Sequence, residues 1–183
     1  MTRIKSITDR SQLPAERQHE WDEIFAGMGR VRGPFGVMLN APGLGPSMLN
    51  IVLAGHDASI VPEALHELAI LAVAREHDAP YQWTAHVGRA RTAGLSDAAI
   101  EAARRRDGAV EGLAQGERDV VELVRELCRT EHVSQQRFDL LRKRYGEQWL
   151  LLVVATIGQY RYVATFNNAF EIDPLPVEDQ LPV

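Results

Sequence analysis

Hydrophobic and polar positions follow a helical period along most of the chain. Apolar residues recur every three or four positions, polar residues fill the opposite faces, and glycine or proline separates the segments. The pattern predicts helices over residues 13–26, 47–54, 62–77, 80–93, 97–106, 117–129, 135–145 and 147–169. Strict two-residue alternation over five or more positions is absent from the sequence, so no strand is predicted. The sequence therefore predicts an all-α domain of seven or eight helices.

We interpret residues 1–183 as a single domain with a central motif over residues 62–106. An N-terminal helix and a segment rich in glycine and proline occupy residues 1–46. The apolar side chains within residues 27–46 favour a pocket wall or an interface over a simple linker. The tail, residues 171–183, carries three prolines and is predicted to be extended. Tails of this kind often pack on a neighbouring subunit.

Composition and charge exclude several classes of partner. The chain of 183 residues is 45% hydrophobic and 25% charged, which is enough for one buried core. Its formal charge of −5 does not favour binding to nucleic acid or to an anionic membrane. One cysteine, no membrane-length apolar run and no secretory signal predict a cytoplasmic protein. Apolar helix faces predict a homo-oligomer.

Two polar side chains interrupt the apolar faces of consecutive helices. Glu67 shares its face with aliphatic residues of the helix predicted over residues 62–77, and His86 lies on the apolar face of the next helix. The turn between these helices, Asp78-Ala79-Pro80, is tight, so the two side chains could meet. A buried carboxylate needs a partner, and a glutamate can fix the tautomer of a histidine.

Structural roles compete with a catalytic one for these residues. A single histidine on an apolar helix face is more often a structural residue whose hydrogen bonds are satisfied. A metal site is not predicted, because one histidine and one glutamate are too few ligands unless His56 or His66 joins them. No cofactor is predicted. His56, which follows a short apolar helix, is a second and weaker candidate for the site.

The motif around these residues resembles a known family. Glu67 is followed by Leu-Ala-x-Leu-Ala-Val-Ala, then by Tyr81-x-Trp83-x-x-His86 and by Ala90-x3-Gly94-Leu95-Ser96-x3-Ile100. This pattern is similar to the signature of the carboxymuconolactone decarboxylase and alkylhydroperoxidase-D-like family. The resemblance implies an all-α subunit that assembles into trimers or hexamers. It also implies His86 as the catalytic acid–base group, Glu67 as the residue that orients it, and Tyr81 and Trp83 as substrate-binding residues.

The resemblance separates two kinds of chemistry. Peroxidases of the family carry a Cys-x-x-Cys pair seven and four positions before the histidine, where this sequence has Ala79 and Gln82. The chain therefore resembles the cysteine-free, decarboxylase-like branch, for which proton transfer by His86 is expected. Apart from three arginines of uncertain direction, no basic cluster lies beside the motif. These arginines are Arg89, Arg91 and Arg161. The sequence thus predicts a lyase for a small carboxylated lactone or related acid.

Two other functions remain open at this point. A peroxidase that uses Cys128 would need an accessible thiol with a lowered pKa near His86. A binding protein without catalytic activity would instead seal the Glu67–His86 pair in the core.

A second apolar segment resembles the central motif. Residues 147–169 align with residues 67–90 when one position is skipped, and Thr165 then stands at the position of His86. This similarity predicts a decayed internal repeat whose second copy is structural, unless two apolar helices agree by coincidence.

Overall fold

The computed structural model describes residues 2–181 as a bundle of helices. Within this range two 3₁₀-helices, Arg10–Gln12 and Ala15–Arg17, precede nine α-helices. The α-helices are α1 (Gln18–Met28), α2 (Pro34–Met38), α3 (Leu44–Ala54), α4 (Glu63–Glu76), α5 (Pro80–Thr92), α6 (Asp97–Arg104), α7 (Gln115–Thr130), α8 (Gln135–Tyr145) and α9 (Glu147–Ala169). The described residues contain no β-strand, which confirms the predicted all-α class.

The predicted number of helices is exceeded in the segment rich in glycine and proline. Pro34–Met38 form the separate helix α2, where the sequence indicates at most one helical turn. Proline at the first position of a helix supplies a suitable φ and has no N–H that would lack a partner. The first predicted helix is shorter than expected, because Ala15–Arg17 forms a 3₁₀ turn and α1 begins at Gln18.

Helix α4 lies at the centre of the core. Every residue from Leu68 to Ala74 is buried, and the helix contacts α5, α6, α7 and α9. A helix that is apolar on all sides is stable only when other helices surround it. Glu67, at the start of this buried run, is therefore held in a fixed position inside the protein.

The turn between α4 and α5 places the two candidate side chains on facing surfaces. Asp78 adopts the left-handed conformation with a φ of 45°, which aspartate tolerates better than most residues. The N–H of Ala79 then donates to the carbonyl oxygen of Ala74 at 2.8 Å, and Pro80 begins α5 at once. With so short a connection, α5 folds back along α4.

Helix α9 is continuous over 23 residues and packs against α4, α5 and α8. By length and composition it could cross a membrane, but only half of its most apolar window is buried in this fold, and core helices of soluble proteins pass the same test. The segment that resembles it in sequence, residues 67–90, instead forms two helices joined by a turn. The similarity of the two segments therefore does not extend to their structures.

The tail packs on its own chain rather than extending away from it. A carboxylate oxygen of Asp179 lies 2.5 Å from Nη2 of Arg91, and the other accepts a hydrogen bond from Nε1 of Trp83 at 3.4 Å. Arg104 also donates to Asp179, and Leu181 is buried in the main core. These contacts fasten the end of the chain to α5 and α6.

Candidate active site

Glu67 and His86 are in direct contact, as the spacing of the two helices allows. Oε2 of Glu67 lies 2.8 Å from Nδ1 of His86, and both side chains are buried. A carboxylate can only accept a hydrogen bond, so Nδ1 carries the proton. The other ring nitrogen, Nε2, is then left unprotonated in the neutral imidazole.

Arg89 is a cationic neighbour of the same carboxylate. Its Nε lies 3.1 Å from Oε1 of Glu67, while about half of its side chain stays exposed. Burial alone would raise the pKa of the Glu67 carboxyl, but the hydrogen bond from His86 and the charges of His86 and Arg89 outweigh it and lower the pKa. Glu67 is therefore ionised at neutral pH although it is fully buried.

A cavity of about 380 Å³ adjoins this pair. His86 borders the cavity, and the ring of Tyr160 meets the imidazole edge-on, with 5.2 Å between the ring centroids. The wall is mixed: aliphatic, aromatic and methionine side chains alternate with polar ones. Apolar lining residues include Met28, Phe35, Met38, Met48, Val52 and Val163. The volume suits a ligand built on one small ring.

Of the two predicted substrate-binding residues, only Tyr81 borders the cavity. Its hydroxyl group lies against Gly33, where an added Cβ would come within 1.9 Å of the Tyr81 oxygen. Gly33 also has a φ of 57°, so both space and backbone conformation require glycine there. Through this contact the segment rich in glycine and proline closes over α5.

Trp83, the other predicted substrate-binding residue, does not border the cavity. This ring is fully buried on the side of α5 that faces α6, and the guanidinium of Arg104 lies 4.6 Å from its centroid. Trp83 and His86 both lie on the broad apolar side of α5, but Trp83 does not border the cavity. The α5 residues that do are Tyr81, Gln82, Ala85, His86 and Arg89. Trp83 packs in the core and holds the tail through Asp179.

Sequence reasoning missed a basic cluster that borders the cavity. Arg30 and Arg32, from the loop between α1 and α2, border the cavity together with Arg89. Burial, followed by the charges of Arg32 and Arg89, lowers the pKa of Arg30. Within residues 2–181, neither Arg30 nor Arg32 has an acidic partner within ion-pair distance, so both can bind an anionic ligand. Arg91 and Arg161 instead pair with Asp179 and Glu131.

Two further histidines border the same cavity. The rings of His56 and His66 lie 4.6 Å apart between centroids, and Nε2 of His56 contacts a carboxylate oxygen of Glu63. His66 is buried, while a large part of the His56 side chain is exposed. Nevertheless, no group of three or more His, Cys, Asp or Glu side chains across the described range is arranged to hold a metal ion.

Neutral amides complete the polar part of the lining. Gln82 and Asn167 border the cavity and are almost fully buried. Nε2 of Gln82 donates to the carbonyl oxygen of Ile70 at 3.1 Å. Its Oε1 and both amide atoms of Asn167 make no hydrogen bond with any part of the chain that the structure describes. Buried polar groups of this kind are available to a ligand or to water.

Burial of His66 should make the stability of the protein depend on pH. Burial, with a further contribution from the charge of His56, lowers the pKa of His66 from 6.5 to about 4. Between these values the unfolded chain binds more protons than the folded chain, so the free energy of unfolding falls as the pH is lowered through this window. We expect His66→Phe to remove about 3 kcal/mol of this dependence, measured by urea unfolding near pH 7 and near pH 4. The same pH dependence in this variant and in an exposed control, His132→Phe, would contradict the assignment.

Cys128 is placed away from this site. It lies on α7, is partly buried, and does not border the cavity. Burial raises the pKa of its thiol to about 11, so little thiolate forms at neutral pH. We expect Cys128→Ser to change turnover by less than about twofold, measured as initial rates of the variant and the wild type. Loss of activity in this variant would implicate the thiol.

The architecture resembles solved structures of a debrominase. The crystal structure of Bmp8 with a cysteine-to-alanine substitution, in complex with 2,3,4-tribromopyrrole, matches with a TM-score of 0.70 and 14% identity over 96% of this chain and 95% of that chain. Apo Bmp8 matches with a TM-score of 0.69 and 13% identity over 93% and 91%. At this identity the likeness defines the fold alone, which is all-α and alkylhydroperoxidase-D-like. No protein-family model matches the sequence, and no curated protein is significantly similar to it.

Proposed function

We propose that this protein is a lyase that decarboxylates a small carboxylated lactone or a related acid by acid–base chemistry. The observation that carries the proposal is the ion-paired Glu67–His86 couple at the edge of a cavity of ring size. A Glu67–His86 pair buried without an adjoining cavity would favour a binding protein or a structural role. An accessible cysteine thiol at the border of the cavity would favour a peroxidase. The cavity beside His86 and the high pKa of Cys128 support neither alternative.

The proposed reaction breaks one carbon–carbon bond. The electron pair left by the departing carbon dioxide is delocalised through the unsaturated ring onto the lactone carbonyl oxygen, which gives a dienolate. His86, protonated on both nitrogens and held by the Glu67 carboxylate, donates its Nε2 proton to a ring carbon. Solvent then returns a proton to His86, so that each turnover consumes one proton and releases one carbon dioxide.

The surroundings of the pair support this sequence of steps. Apolar side chains line part of the cavity, and a reacting carboxylate placed against them, away from the arginines, is lost more readily as neutral carbon dioxide. The ionised Glu67 stabilises the imidazolium that donates the proton. The edge-on Tyr160 ring limits how far His86 can move. Together these contacts hold the acid in one orientation before the substrate binds.

Arg30 and Arg32 are proposed to attract and hold the anionic substrate. We expect the double variant Arg30→Gln/Arg32→Gln to raise KM about tenfold, because two unpaired guanidinium groups at the cavity are lost, while kcat changes little. The measurement is steady-state kinetics at low and high salt, since the wild-type advantage should shrink as salt screens these exposed charges.

Arg105→Gln is the matched control for this prediction, because Arg105 is exposed on the surface, pairs with Glu101 and does not border the cavity. An equal rise of KM in the control, or a double variant with unchanged KM, would contradict the role of the two arginines.

The proposed function is tested by a paired activity screen on purified protein. One arm follows carbon dioxide release from a panel of carboxylated lactones and β-keto acids, and the other follows peroxide consumption with a dithiol reductant. Release of carbon dioxide by the wild type and by Cys128→Ser supports the proposal. Peroxide consumption that disappears in Cys128→Ser, without carbon dioxide release, would replace it with a thiol peroxidase.

A further inference from the structure

His66 presents a second imidazole to the cavity outside the Glu67–His86 pair. It projects from α4, and its Nδ1 lies 3.4 Å from the hydroxyl oxygen of Thr156 on α9. The Thr156 hydroxyl itself lies 2.8 Å from the carbonyl oxygen of Leu152, one turn earlier in α9. A hydroxyl group has one hydrogen, and a carbonyl oxygen can only accept, so Thr156 donates that hydrogen to Leu152.

This arrangement fixes the tautomer of His66. Because the Thr156 hydrogen is directed at Leu152, its oxygen can only accept from His66, and Nδ1 of His66 must carry the proton. The opposite ring nitrogen, Nε2, is then an unprotonated acceptor. No side chain or backbone group of residues 2–181 hydrogen-bonds to Nε2. Unlike Oε1 of Gln82, this atom is not sealed inside the protein. His66 therefore offers a lone pair to whatever occupies the cavity.

Burial keeps the His66 ring neutral. Burial is the main influence on its pKa and lowers it; the charges of His56 and His86 lower it further, and those of Glu67 and Glu63 oppose them. The ring of Tyr160 packs edge-on against both buried histidines, with its centroid 6.5 Å from that of His66 and 5.2 Å from that of His86. The two buried imidazoles at the cavity therefore differ in their surroundings. His86 is paired with a carboxylate, whereas His66 is a neutral acceptor.

We propose that Nε2 of His66 accepts a hydrogen bond from a hydroxyl group of the substrate, so that the substrate is a small carboxylic acid that also carries a hydroxyl or enol group. This inference rests on the proposed function for the identity of the site. The inference adds the requirement that the substrate carries a hydrogen-bond donor. If a lactone oxygen lay beside Nε2 instead, two acceptors would face each other and neither would have a hydrogen-bond partner. Specificity built on such a buried acceptor rejects analogues that lack the hydroxyl group.

The tautomer is tested without any ligand. Long-range ¹H–¹⁵N correlation spectra of protein labelled at histidine nitrogens should show Nδ1 of His66 as protonated and Nε2 as unprotonated, with no titration between about pH 6 and pH 8. The resonances are assigned by their absence in His66→Phe. A proton on Nε2, or titration of this ring within that range, would overturn the proposal.

The hydroxyl requirement is tested by calorimetric binding of benzoate and of its 2-, 3- and 4-hydroxy derivatives. We expect at least one hydroxybenzoate to bind the wild type about three to ten times more tightly than benzoate. His66→Phe should bind all four with similar affinity. His66→Gln, whose amide oxygen can still accept, should keep part of the preference and serves as the conservative variant.

Each result of the binding test supports or overturns the proposal. Equal binding of all four acids by the wild type, a preference retained in His66→Phe, or no binding of any acid would overturn it. These outcomes are separate from those of the activity screen. A protein that prefers hydroxybenzoates but releases no carbon dioxide would contradict the proposed reaction and not the role of His66.

Discussion

Replacement of His86 by Gln should lower kcat by about 10²–10⁴-fold, the usual contribution of a general acid–base group. The amide N–H of Gln can still donate a hydrogen bond to Glu67, so the buried carboxylate keeps a partner and the fold should persist. It cannot carry a transferable proton at neutral pH, so protonation of the dienolate would depend on water. Initial rates on a substrate found in the carbon dioxide screen, together with circular dichroism and gel filtration, provide the measurement.

His132→Gln is the matched control for this result, since His132 lies in the exposed turn between α7 and α8. It should leave kcat within about twofold of the wild type. A folded His86→Gln variant with an unchanged rate would remove His86 from the mechanism.

Replacement of Glu67 by Gln should lower kcat by about 10–10²-fold with KM nearly unchanged, because Glu67 acts through His86 rather than on the substrate. The amide preserves the size of the side chain and can still accept from Nδ1 of His86, so the orientation of the ring is partly kept. The stabilising negative charge beside the imidazolium is lost. Steady-state kinetics separate this effect on kcat from an effect on substrate binding.

The same variant should alter stability in acid. The pKa of Glu67 is lowered in the folded protein from the usual 4.5, so its carboxylate stabilises the fold above that pH and the contribution is lost as the pH falls below it. Glu67→Gln should therefore flatten the loss of unfolding free energy below about pH 5. Unchanged kcat in a folded variant would show that the carboxylate is dispensable for the reaction.

The contact between Glu67 and His86 could be anticipated because its causes are local. Each residue interrupts an apolar helix face, and the turn at Asp78 is short enough to require that α5 returns along α4. The all-α class follows from the same periodicity. What the pattern did not resolve was the division of one helix face into core and cavity. Trp83 and His86 both belong to the apolar side of α5, and only the packing of Arg104 and the tail decides that Trp83 is sealed.

The basic cluster at the cavity could not be located from the sequence. Arg30 and Arg32 lie in an irregular segment, and their positions depend on the close approach of Gly33 to Tyr81, some 50 residues later in the chain. The composition of the segment did indicate a pocket wall, because apolar residues accompany its glycines and prolines. It carried no information on which of the arginines would point inward. The absence of an acidic partner became visible only in three dimensions.

The neutral state of His66 depends on a contact that sequence spacing does not encode. His66 and Thr156 come from α4 and α9 and meet only because α9 crosses the central helix. On a helical projection His66 is displaced by about 100° from Glu67, so the two side chains leave α4 in different directions. In the structure His66 borders the cavity together with residues of α3, α5 and α9, whereas Glu67 adjoins the cavity only through His86.

The central claim, that the Glu67–His86 pair protonates carbon after loss of carbon dioxide, is tested most directly by running the decarboxylation in D₂O and examining the product by NMR. The account predicts that the wild type places one deuterium on one face of one ring carbon, because a single fixed acid delivers it. It also predicts that His86→Gln forms this product at a greatly reduced rate and without facial selectivity. Product with deuterium distributed over both faces in the wild type, or no decarboxylation of any acid in the panel, would contradict the claim.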